Sequence, residues 1–352
     1  MTRAKRKRDH IDYALATGQQ ELAGFEDVKF VHQSLSNSAL IDIDLQSRIG
    51  ELSLSSPIFV NAMTGGGGGY TSKINSDLSI LARETGIALA VGSQMSALKD
   101  SGERKTYEIV RRNNPEGIIF ANLGSEATVQ QANDAVEMIE ADALQIHLNV
   151  IQELTMPEGD RDFRGALERI EKISDALSVP VFVKETGFGI SKETAYSLSK
   201  TSISAIDVGG FGGTNFSRIE NQRRQRILGF FDDWGIPTVV SIAEAGVSSE
   251  VPIIASGGIR NSLEIVKALS LGACSVGMAG SVLRSMIDKG LDETINEVNE
   301  IHTDIRYLMC ALGCDKIEDL HDVPLILSGR VHHWMKLRGL EPENFSNRQK
   351  KK

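Results

Sequence analysis

Eight short apolar segments, each ending in small or polar residues, recur along the chain from residue 57 and constrain its fold more than any other feature. Helical patterns separate them, at 74–85, 128–140, 164–177, 192–200 and 262–271. Near-continuous apolar strands that alternate with helices are typical of a parallel sheet covered on its outside. Eight such units in about 230 residues fit a closed TIM (β/α)₈ barrel of the α/β class better than an open doubly wound sheet. The predicted strands are 58–63, 88–93, 118–122, 143–149, 181–184, 205–208, 253–256 and 275–278.

The segments on either side of the barrel predict decorations and no second domain. Residues 1–24 form a basic, helical pattern, and the partly alternating runs 29–35 and 40–45 predict a small hairpin. Residues 287–316 and the tail after them predict a C-terminal helical extension, while 216–251 holds an extended loop and a helix. We therefore divide the chain into an N-terminal arm and hairpin, 1–56, and a barrel with a helical tail, 57–352, with one domain overall.

Charge and cysteine content exclude several classes of protein. The net charge of −9 argues against general binding of nucleic acid. Three cysteines are too few for a secreted disulfide framework, and Cys310 and Cys314 lack further ligands for a metal. No apolar run reaches the roughly 20 residues of a membrane span, and the basic N-terminus lacks the apolar core of a secretory signal. We expect a cytoplasmic protein without a membrane or nucleic-acid partner.

The fourth strand ends in an unusual polar cluster, His147, Asn149, Gln152 and Glu153. Alternation along a strand points His147 and Asn149 the same way. Burying imidazole, amide and carboxylate groups without partners is costly, so the cluster indicates a ligand site. A capped strand followed by a solvated turn is the alternative.

The ends of the seventh and eighth strands carry the pattern of a phosphate site. Gly257 and Gly258 follow one strand, Ala279 and Gly280 follow the other, and Thr214 reaches in from the sixth. Bare backbone N–H groups and a helix N-terminus bind an anion at this point of a (β/α)₈ barrel. Small residues that merely permit tight turns are the alternative explanation.

Lys184 ends the fifth strand and is compatible with several chemistries. A Schiff-base aldolase would explain this lysine and the phosphate site, but it leaves Met63, Thr64, Ser93 and Asn122 without a role. A flat heteroaromatic cofactor with a phosphate tail accounts for all of them, and flavin mononucleotide (FMN) has that shape. The glycine run at 65–69 is not followed by Lys-Ser/Thr, so it is not a P-loop.

Several motifs together carry a family resemblance over about residues 3 to 340. They are Arg6-Lys7, Asn61-Ala-Met-Thr-Gly-Gly, Gly92-Ser-Gln, Ala121-Asn-Leu-Gly, His147-Leu-Asn-Val-Ile-Gln-Glu, Val183-Lys-Glu, Gly212-Gly-Thr-Asn, Ala255-Ser-Gly-Gly and Met278-Ala-Gly. As a set they resemble the type 2 isopentenyl-diphosphate isomerases. The resemblance implies an isomerase of isoprenoid biosynthesis that interconverts isopentenyl and dimethylallyl diphosphate. It also implies reduced FMN, NADPH as reductant, Mg²⁺, and a homo-oligomer, either a tetramer or an octamer.

Transferred position by position, the resemblance assigns roles to individual residues. Gln152 and His147 would be catalytic together with reduced FMN, and Glu153 would hold the metal. The diphosphate substrate would contact Arg6, Lys7, His147, Asn149 and Gln152. FMN would bind Ala62, Met63, Thr64, Ser93, Asn122, Lys184, Thr214, Gly257, Gly258, Arg260, Ala279 and Gly280.

Two alternatives of other kinds remain open from the sequence. An FMN-dependent oxidoreductase of the 2-hydroxy-acid oxidase type would need a proton-abstracting histidine near the flavin and arginines for a carboxylate. The only histidine at a predicted strand end is His147, on the fourth strand, which disfavours that type. A non-catalytic barrel that binds a phosphorylated ligand would be colourless, whereas bound flavin makes a protein yellow.

Overall fold

A closed parallel barrel of eight strands forms the centre of the computed structural model, which describes residues 23–63 and 68–349. Each barrel strand pairs with its neighbours in chain order, and the eighth pairs with the first. The predicted (β/α)₈ barrel is confirmed. We number the barrel strands first to eighth in chain order. They are Ile58–Val60, Ala88–Ala90, Ile119–Gly124, Ala143–Leu148, Val181–Glu185, Ala205–Asp207, Ile253–Ser256 and Ala273–Met278.

Helices cover the outside of the barrel, and the five predicted from periodicity are all present. The sequence patterns do not predict the short helix Met95–Lys99 or the helix Lys105–Asn113. The interval after the sixth strand contains a loop and helices, as expected. The described α-helices are Gly68–Thr85, Met95–Lys99, Lys105–Asn113, Val129–Met138, Val150–Thr155, Ala166–Ala176, Lys192–Leu198, Phe216–Asn221, Thr238–Ser248, Ser262–Ser270, Gly280–Asp288, Leu291–Leu312, Gly329–Leu337 and Glu343–Ser346.

The barrel interior is divided into an apolar layer and a polar layer above it. Phe59, Phe120 and Phe182 pack edge to face, with ring centroids 5.5 and 5.4 Å apart. Because side chains alternate along a strand, the residues two positions further on also point inward, nearer the C-terminal ends. These residues are polar and almost fully buried, and they form the floor of the site described below. The polar layer consists of Asn61, Asn122, Gln145, Lys184, Asp207 and Ser256.

The N-terminal segment folds differently from the prediction. Val28–Phe30 pairs antiparallel with Leu325–Leu327, and Leu40–Asp42 is a 3-10 helix, so the predicted hairpin of 29–35 with 40–45 is wrong. The hairpin of this region instead joins Ser47–Ile49 to Leu52–Leu54. Residues 1–22 of the predicted basic helix lie outside the described residues.

The hairpin closes one end of the barrel. Its Ile49 and Leu54 belong to the same buried cluster as Ala88, Ala143 and Ala205, which are the first residues of their strands. The apolar end of the barrel is therefore sealed where the strands begin. The opposite end, where the strands finish, is left for a ligand site.

The C-terminal extension docks against the outside of the barrel. In the helix Gly329–Leu337, the Trp334 Nε1–H donates to Glu244 Oε1 at 3.2 Å, and the Nε–H of Arg338, just after that helix, donates to the same atom at 2.9 Å. These bonds give the tail a structural role. In the part of the chain that the structure describes, no helix has the length and apolar character needed to cross a membrane.

Candidate active site

A cavity of about 640 Å³ opens at the C-terminal ends of the barrel strands. This size lies within the range of cavities that bind small molecules and cofactors. The buried polar layer forms its floor, and the loops that follow the strands form its walls. The active end of a (β/α)₈ barrel is the end where such loops meet, so the position agrees with the general rule for this fold.

Glycines bring two backbone segments, the loops after the sixth and seventh strands, into close contact on one side of the cavity. Gly257 and Gly258 have φ angles of +106° and +70°. A Cβ atom on Gly258 would lie 2.4 Å from the carbonyl oxygen of Gly212, and one on Gly213 would lie 2.7 Å from the Gly258 nitrogen. Larger residues cannot occupy these positions without moving the backbone. The close approach leaves bare backbone facing the cavity, as a phosphate site needs.

A helix N-terminus lies beside these glycines. The helix Gly280–Asp288 begins directly after the eighth strand, and no side chain of its N-cap residue, Ala279, satisfies its first N–H groups. The Ser281 Oγ atom is buried and has no hydrogen-bond partner among the described residues. A buried hydroxyl without a partner is unfavourable unless a ligand completes it. The donors of this helix end and the glycine cradle therefore fit a phosphate group.

The polar cluster after the fourth strand lies on the other side of the cavity. His147 ends the inward-facing row of that strand, and the short helix Val150–Thr155 follows immediately. Residues three and four apart lie on the same face of a helix, so Asn149, Gln152 and Glu153 all line the cavity. The His147 Nδ1 atom lies 3.0 Å from Asn122 Oδ1.

Glu153 is a half-buried carboxylate held by two donors. It accepts hydrogen bonds from Asn149 Nδ2 at 2.9 Å and from the Asp160 N–H at 2.8 Å. Burial raises the pKa of Glu153 above its ordinary value, and these two bonds offset the rise only in part. The negative charges of Asp160 and Glu126 add to the increase. A positive charge beside Glu153 would favour its charged form and lower this pKa.

Lys184 and Glu185 point to different sides of the fifth strand. The Lys184 ammonium group is almost fully buried, and its Nζ donates to the carbonyl oxygen of Glu185 at 2.8 Å. The Glu185 carboxylate accepts the N–H of Phe188, but burial still raises the pKa of Glu185 to about 8. Lys184 thus supplies a positive charge to the cavity.

The structure brings the described candidate residues together in one cavity. Arg6, Lys7 and Thr64 lie outside the described residues. Arg260 reaches the cavity, but its guanidinium group pairs with Glu264 at 2.7 Å. The candidates that line the cavity are Ala62, Met63, Ser93, Asn122, His147, Asn149, Gln152, Glu153, Lys184, Thr214, Gly257, Gly258, Arg260, Ala279 and Gly280.

Sequence reasoning did not single out Ser281, and it interpreted Asp207 as structural. A hydroxyl directly after Ala279-Gly280, at the start of a helix, is a signal that could have identified Ser281. Asp207 reads as structural from the sequence, although an acid at the end of a barrel strand is itself a signal. Its carboxylate accepts the Nδ2–H of Asn61 at 2.7 Å and the N–H of Gly209 at 3.2 Å.

The described residues contain no ready-made cluster of metal ligands, in the cavity or outside it, and their cysteines are unpaired. Within residues 23–63 and 68–349, no group of three or more His, Cys, Asp or Glu side chains could hold a metal ion by itself. Cys274, Cys310 and Cys314 are free thiols, and burial raises the pKa of Cys274 to about 12.

Comparison with known proteins gives two consistent family matches. A model of the FMN-dependent dehydrogenase family matches residues 101–326. The isopentenyl-diphosphate delta-isomerase of Bacillus pumilus (strain SAFR-032) is 54% identical over 353 residues, which cover 100% of this chain and 99% of that protein. The isopentenyl-diphosphate delta-isomerase of Bacillus licheniformis is 56% identical over 349 residues, which cover 99% of this chain and 100% of that protein.

Solved structures of other enzymes share the fold at low identity. A soluble mutant of (S)-mandelate dehydrogenase from Pseudomonas putida matches with a TM-score of 0.65 and 16% identity, over 92% of this chain and 98% of that one. A mutant flavocytochrome b2 with benzoylformate matches with a TM-score of 0.66 and 16% identity, over 90% of this chain and 82% of that one. At this identity the likeness concerns the fold alone.

Proposed function

The chain belongs to the isopentenyl-diphosphate delta-isomerases, and we propose that it interconverts isopentenyl and dimethylallyl diphosphate with reduced FMN at the described cavity. The reaction is a 1,3-allylic proton shift: one carbon gains a proton, another loses one, and the double bond moves between them. No net oxidation or reduction takes place. The chain therefore has to hold a five-carbon isoprenoid diphosphate, stabilise charge that develops on carbon, and keep water away.

The observation that carries this proposal is that one cavity has two separate groups of polar residues, on opposite sides. The glycine cradle and the helix N-terminus with Ser281 suit the phosphate of a cofactor. His147, Asn149, Gln152 and Glu153 line the other side and suit a second phosphorylated molecule. A cofactor phosphate and a substrate diphosphate can then bind without competing for the same donors.

FMN fits the residues present on the cofactor side. Lys184 would oppose negative charge on the flavin ring, and Thr214 and Ser281 would bind its phosphate. When bound and reduced, the flavin supplies an electron-rich ring whose N5 region exchanges protons with the substrate. The cofactor site would be completed by Ala62, Met63, Thr64, Ser93, Asn122, Gly257, Gly258, Arg260, Ala279 and Gly280.

The remaining polar residues would hold the substrate. His147, Asn149 and Gln152, together with Arg6 and Lys7 from the N-terminal arm, would bind and orient its diphosphate. Gln152 and His147 would also be the catalytic side chains that act with reduced FMN. Because the Gln152 amide neither gains nor loses a proton at neutral pH, it would act by orienting the reacting carbons. The charge of the diphosphate would be neutralised by Arg6 and Lys7, away from the carbons that exchange protons.

Glu153 would hold a Mg²⁺ ion together with the diphosphate. Magnesium commonly takes one or two carboxylates and completes its shell with substrate phosphates and water. A site with one protein carboxylate fits that habit, and the half-buried position of Glu153 supports it because a cation favours the charged carboxylate.

NADPH would reduce the flavin, and the protein would act as a cytoplasmic homo-oligomer, either a tetramer or an octamer. Free cysteines agree with a reducing compartment. Phe230 and Trp234 are 66% and 58% accessible and both pack against Phe231, and this exposed aromatic cluster agrees with a surface that another subunit covers.

The test compares two activities on one preparation. We expect anaerobic protein with reduced FMN and Mg²⁺ to convert isopentenyl diphosphate, and oxidised protein to leave 2-hydroxy acids such as L-lactate unchanged. Oxidation of the hydroxy acid with reduction of the flavin, and no isomerisation, would instead establish the 2-hydroxy-acid oxidase alternative. That alternative has the shared fold and the match to the FMN-dependent dehydrogenase family model in its favour, but the relatives at 54–56% identity are isomerases.

A further inference from the structure

A chain of hydrogen bonds crosses the polar layer of the barrel from Asp207 to His147. Asn61 Nδ2 donates to Asp207 Oδ2 at 2.7 Å, and Gln145 Nε2 donates to Asn61 Oδ1 at 3.3 Å. Asn122 Nδ2 lies 3.4 Å from Gln145 Oε1, and His147 Nδ1 lies 3.0 Å from Asn122 Oδ1. We call these five residues the relay. It joins the first, third, fourth and sixth barrel strands beneath the cavity.

The relay has a fixed direction because both of its anchors are unambiguous. The Asp207 carboxylate accepts from the backbone N–H of Gly209 as well as from Asn61. At the next step, the backbone N–H of Ala62 donates to Asn61 Oδ1 at 2.8 Å. A carboxylate only accepts and a backbone N–H only donates, so the Asn61 amide can face one way only.

Each later amide is oriented by the one before it. Because Asn61 presents its oxygen to Gln145, Gln145 turns its amide N–H₂ group toward Asn61 and its oxygen toward Asn122. Asn122 then turns its oxygen to the imidazole of His147. Gln94 Oε1 also holds the backbone N–H of Asn122 at 3.0 Å, which keeps this link in position.

The relay decides which ring nitrogen of His147 carries a proton. The amide oxygen of Asn122 needs a donor, and this requirement selects the form of His147 with a proton on Nδ1. The second nitrogen, Nε2, then carries the lone pair of the neutral ring. It can donate to a phosphate oxygen only when the ring is charged, and the charged ring still donates to Asn122 through Nδ1. The relay thus supports the cationic donor that a diphosphate favours.

We infer that Asp207 is a positioning residue that fixes the Nδ1–H form of His147 through Asn61, Gln145 and Asn122. The inference deepens the proposed function and rests on it in one respect, the contact between His147 and the substrate. Burial makes the effect strong. Asn61 and Asn122 are each 2% exposed and Gln145 and Asp207 are 0% exposed, so water cannot replace a reversed link.

The decisive comparison is between a variant that removes the carboxylate at position 207 and one that moves it to position 61, the next residue of the relay. In Asp207→Asn the new amide must place an N–H₂ group against either Asn61 or Gly209, so one pair of donors face each other. In the double variant Asn61→Asp/Asp207→Asn, the carboxylate introduced at position 61 would accept from the Ala62 N–H and from Gln145. The amide introduced at position 207 would donate to that carboxylate while accepting from Gly209. The link between positions 61 and 207 reverses, whereas every link from position 61 to His147 keeps its direction.

The measurement is ¹⁵N NMR of histidine-labelled, FMN-loaded protein without substrate. The chain has 7 histidines, and the His147 signals are identified by their loss in His147→Gln. We expect one tautomer, with hydrogen on Nδ1, in the wild type and in the double variant. A mixture of tautomers is expected in Asp207→Asn and in Gln145→Leu, which removes the central link. Ser275→Ala is the control, because its hydroxyl bonds to the Pro57 carbonyl oxygen, outside the relay.

Two outcomes would overturn the inference. One is a single Nδ1–H form of His147 in folded Gln145→Leu or Asp207→Asn, and the other is a folded double variant that retains the mixture. Kinetics provide the second readout: KM for isopentenyl diphosphate should rise about tenfold in Asp207→Asn, with a smaller change in kcat, and recover in the double variant. An unchanged KM in His147→Gln would contradict the substrate role of His147 alone, while the NMR result still decides the relay.

Discussion

Ser281→Ala should change the protein in opposite directions with and without flavin. In the protein without FMN, the Ser281 hydroxyl is buried without a partner among the described residues. Leaving a buried polar group unpaired costs about 1–3 kcal/mol, so alanine should stabilise this form by about 1 kcal/mol. For a chain of this size we expect a rise in Tm of roughly 1–3 °C.

The FMN-bound protein should respond in the other direction. A hydrogen bond to a charged phosphate contributes about 1.5–3 kcal/mol, and alanine cannot form it. Since about 1.4 kcal/mol corresponds to a factor of ten, the Kd for FMN should rise about 10- to 100-fold. The assay pairs thermal unfolding of both forms with a titration of FMN fluorescence quenching.

Ser270→Ala is the matched control for this experiment. Ser270 Oγ is also buried without a partner among the described residues, but it lies on the helix Ser262–Ser270 and does not line the cavity. We expect Ser270→Ala to stabilise both forms equally and to leave the Kd for FMN unchanged. An unchanged Kd in Ser281→Ala, or equal shifts in Kd for the two variants, would refute the phosphate contact.

Three further variants test other parts of the account. Glu153→Gln should remove most of the response of activity to Mg²⁺ while retaining the yellow flavin; loss of flavin with an intact Mg²⁺ titration would contradict the metal role. Glu185→Gln should flatten the pH dependence of stability. The folded-state pKa of Glu185 is raised to about 8, so the folded protein keeps a proton that the unfolded chain has lost, and urea unfolding of the wild type should show stability falling between about pH 5 and pH 8 by at most ~1.4 kcal/mol per unit. Equal slopes for wild type and variant would exclude that cause. Gly258→Ala should yield folded protein with little flavin per chain, because φ is +70° and the new Cβ would lie 2.4 Å from Gly212 O. The control Gly246→Ala, whose new Cβ would have nothing within 4 Å, should keep its flavin. A normal flavin content in Gly258→Ala would contradict the role of the glycines in binding phosphate.

The barrel could be predicted from the sequence because parallel strands covered by helices are apolar along their whole length. The sequence also indicates that the glycine-rich ends of the seventh and eighth strands lie together. The reason is that the C-terminal ends of parallel neighbouring strands always meet on one side of the sheet. The polar cluster after the fourth strand could also be located, because the short helix Val150–Thr155 continues directly from the strand. These features depend on local pattern and on the symmetry of the fold.

The errors concern partners that are distant in sequence. Val28–Phe30 pairs with Leu325–Leu327, almost at the other end of the chain. No local sequence pattern predicts that pairing. The two runs that predict a hairpin are instead one strand of this long-range pair and a 3-10 helix. Similarly, the link from Asp207 to His147 runs through amide side chains on three strands, and only the closed barrel brings them into a line.

The most direct test of the proposed mechanism is the redox balance of the reaction. FMN on the protein is reduced once, without oxygen and without NADPH, and isopentenyl diphosphate is added in D₂O with Mg²⁺. We expect many turnovers for each reduced flavin, with dimethylallyl diphosphate and deuterium incorporation observed by NMR and the flavin spectrum returning to its reduced form. Product that stops at one equivalent per flavin, or that appears only with matching oxidation of NADPH, would contradict an isomerisation without net redox change.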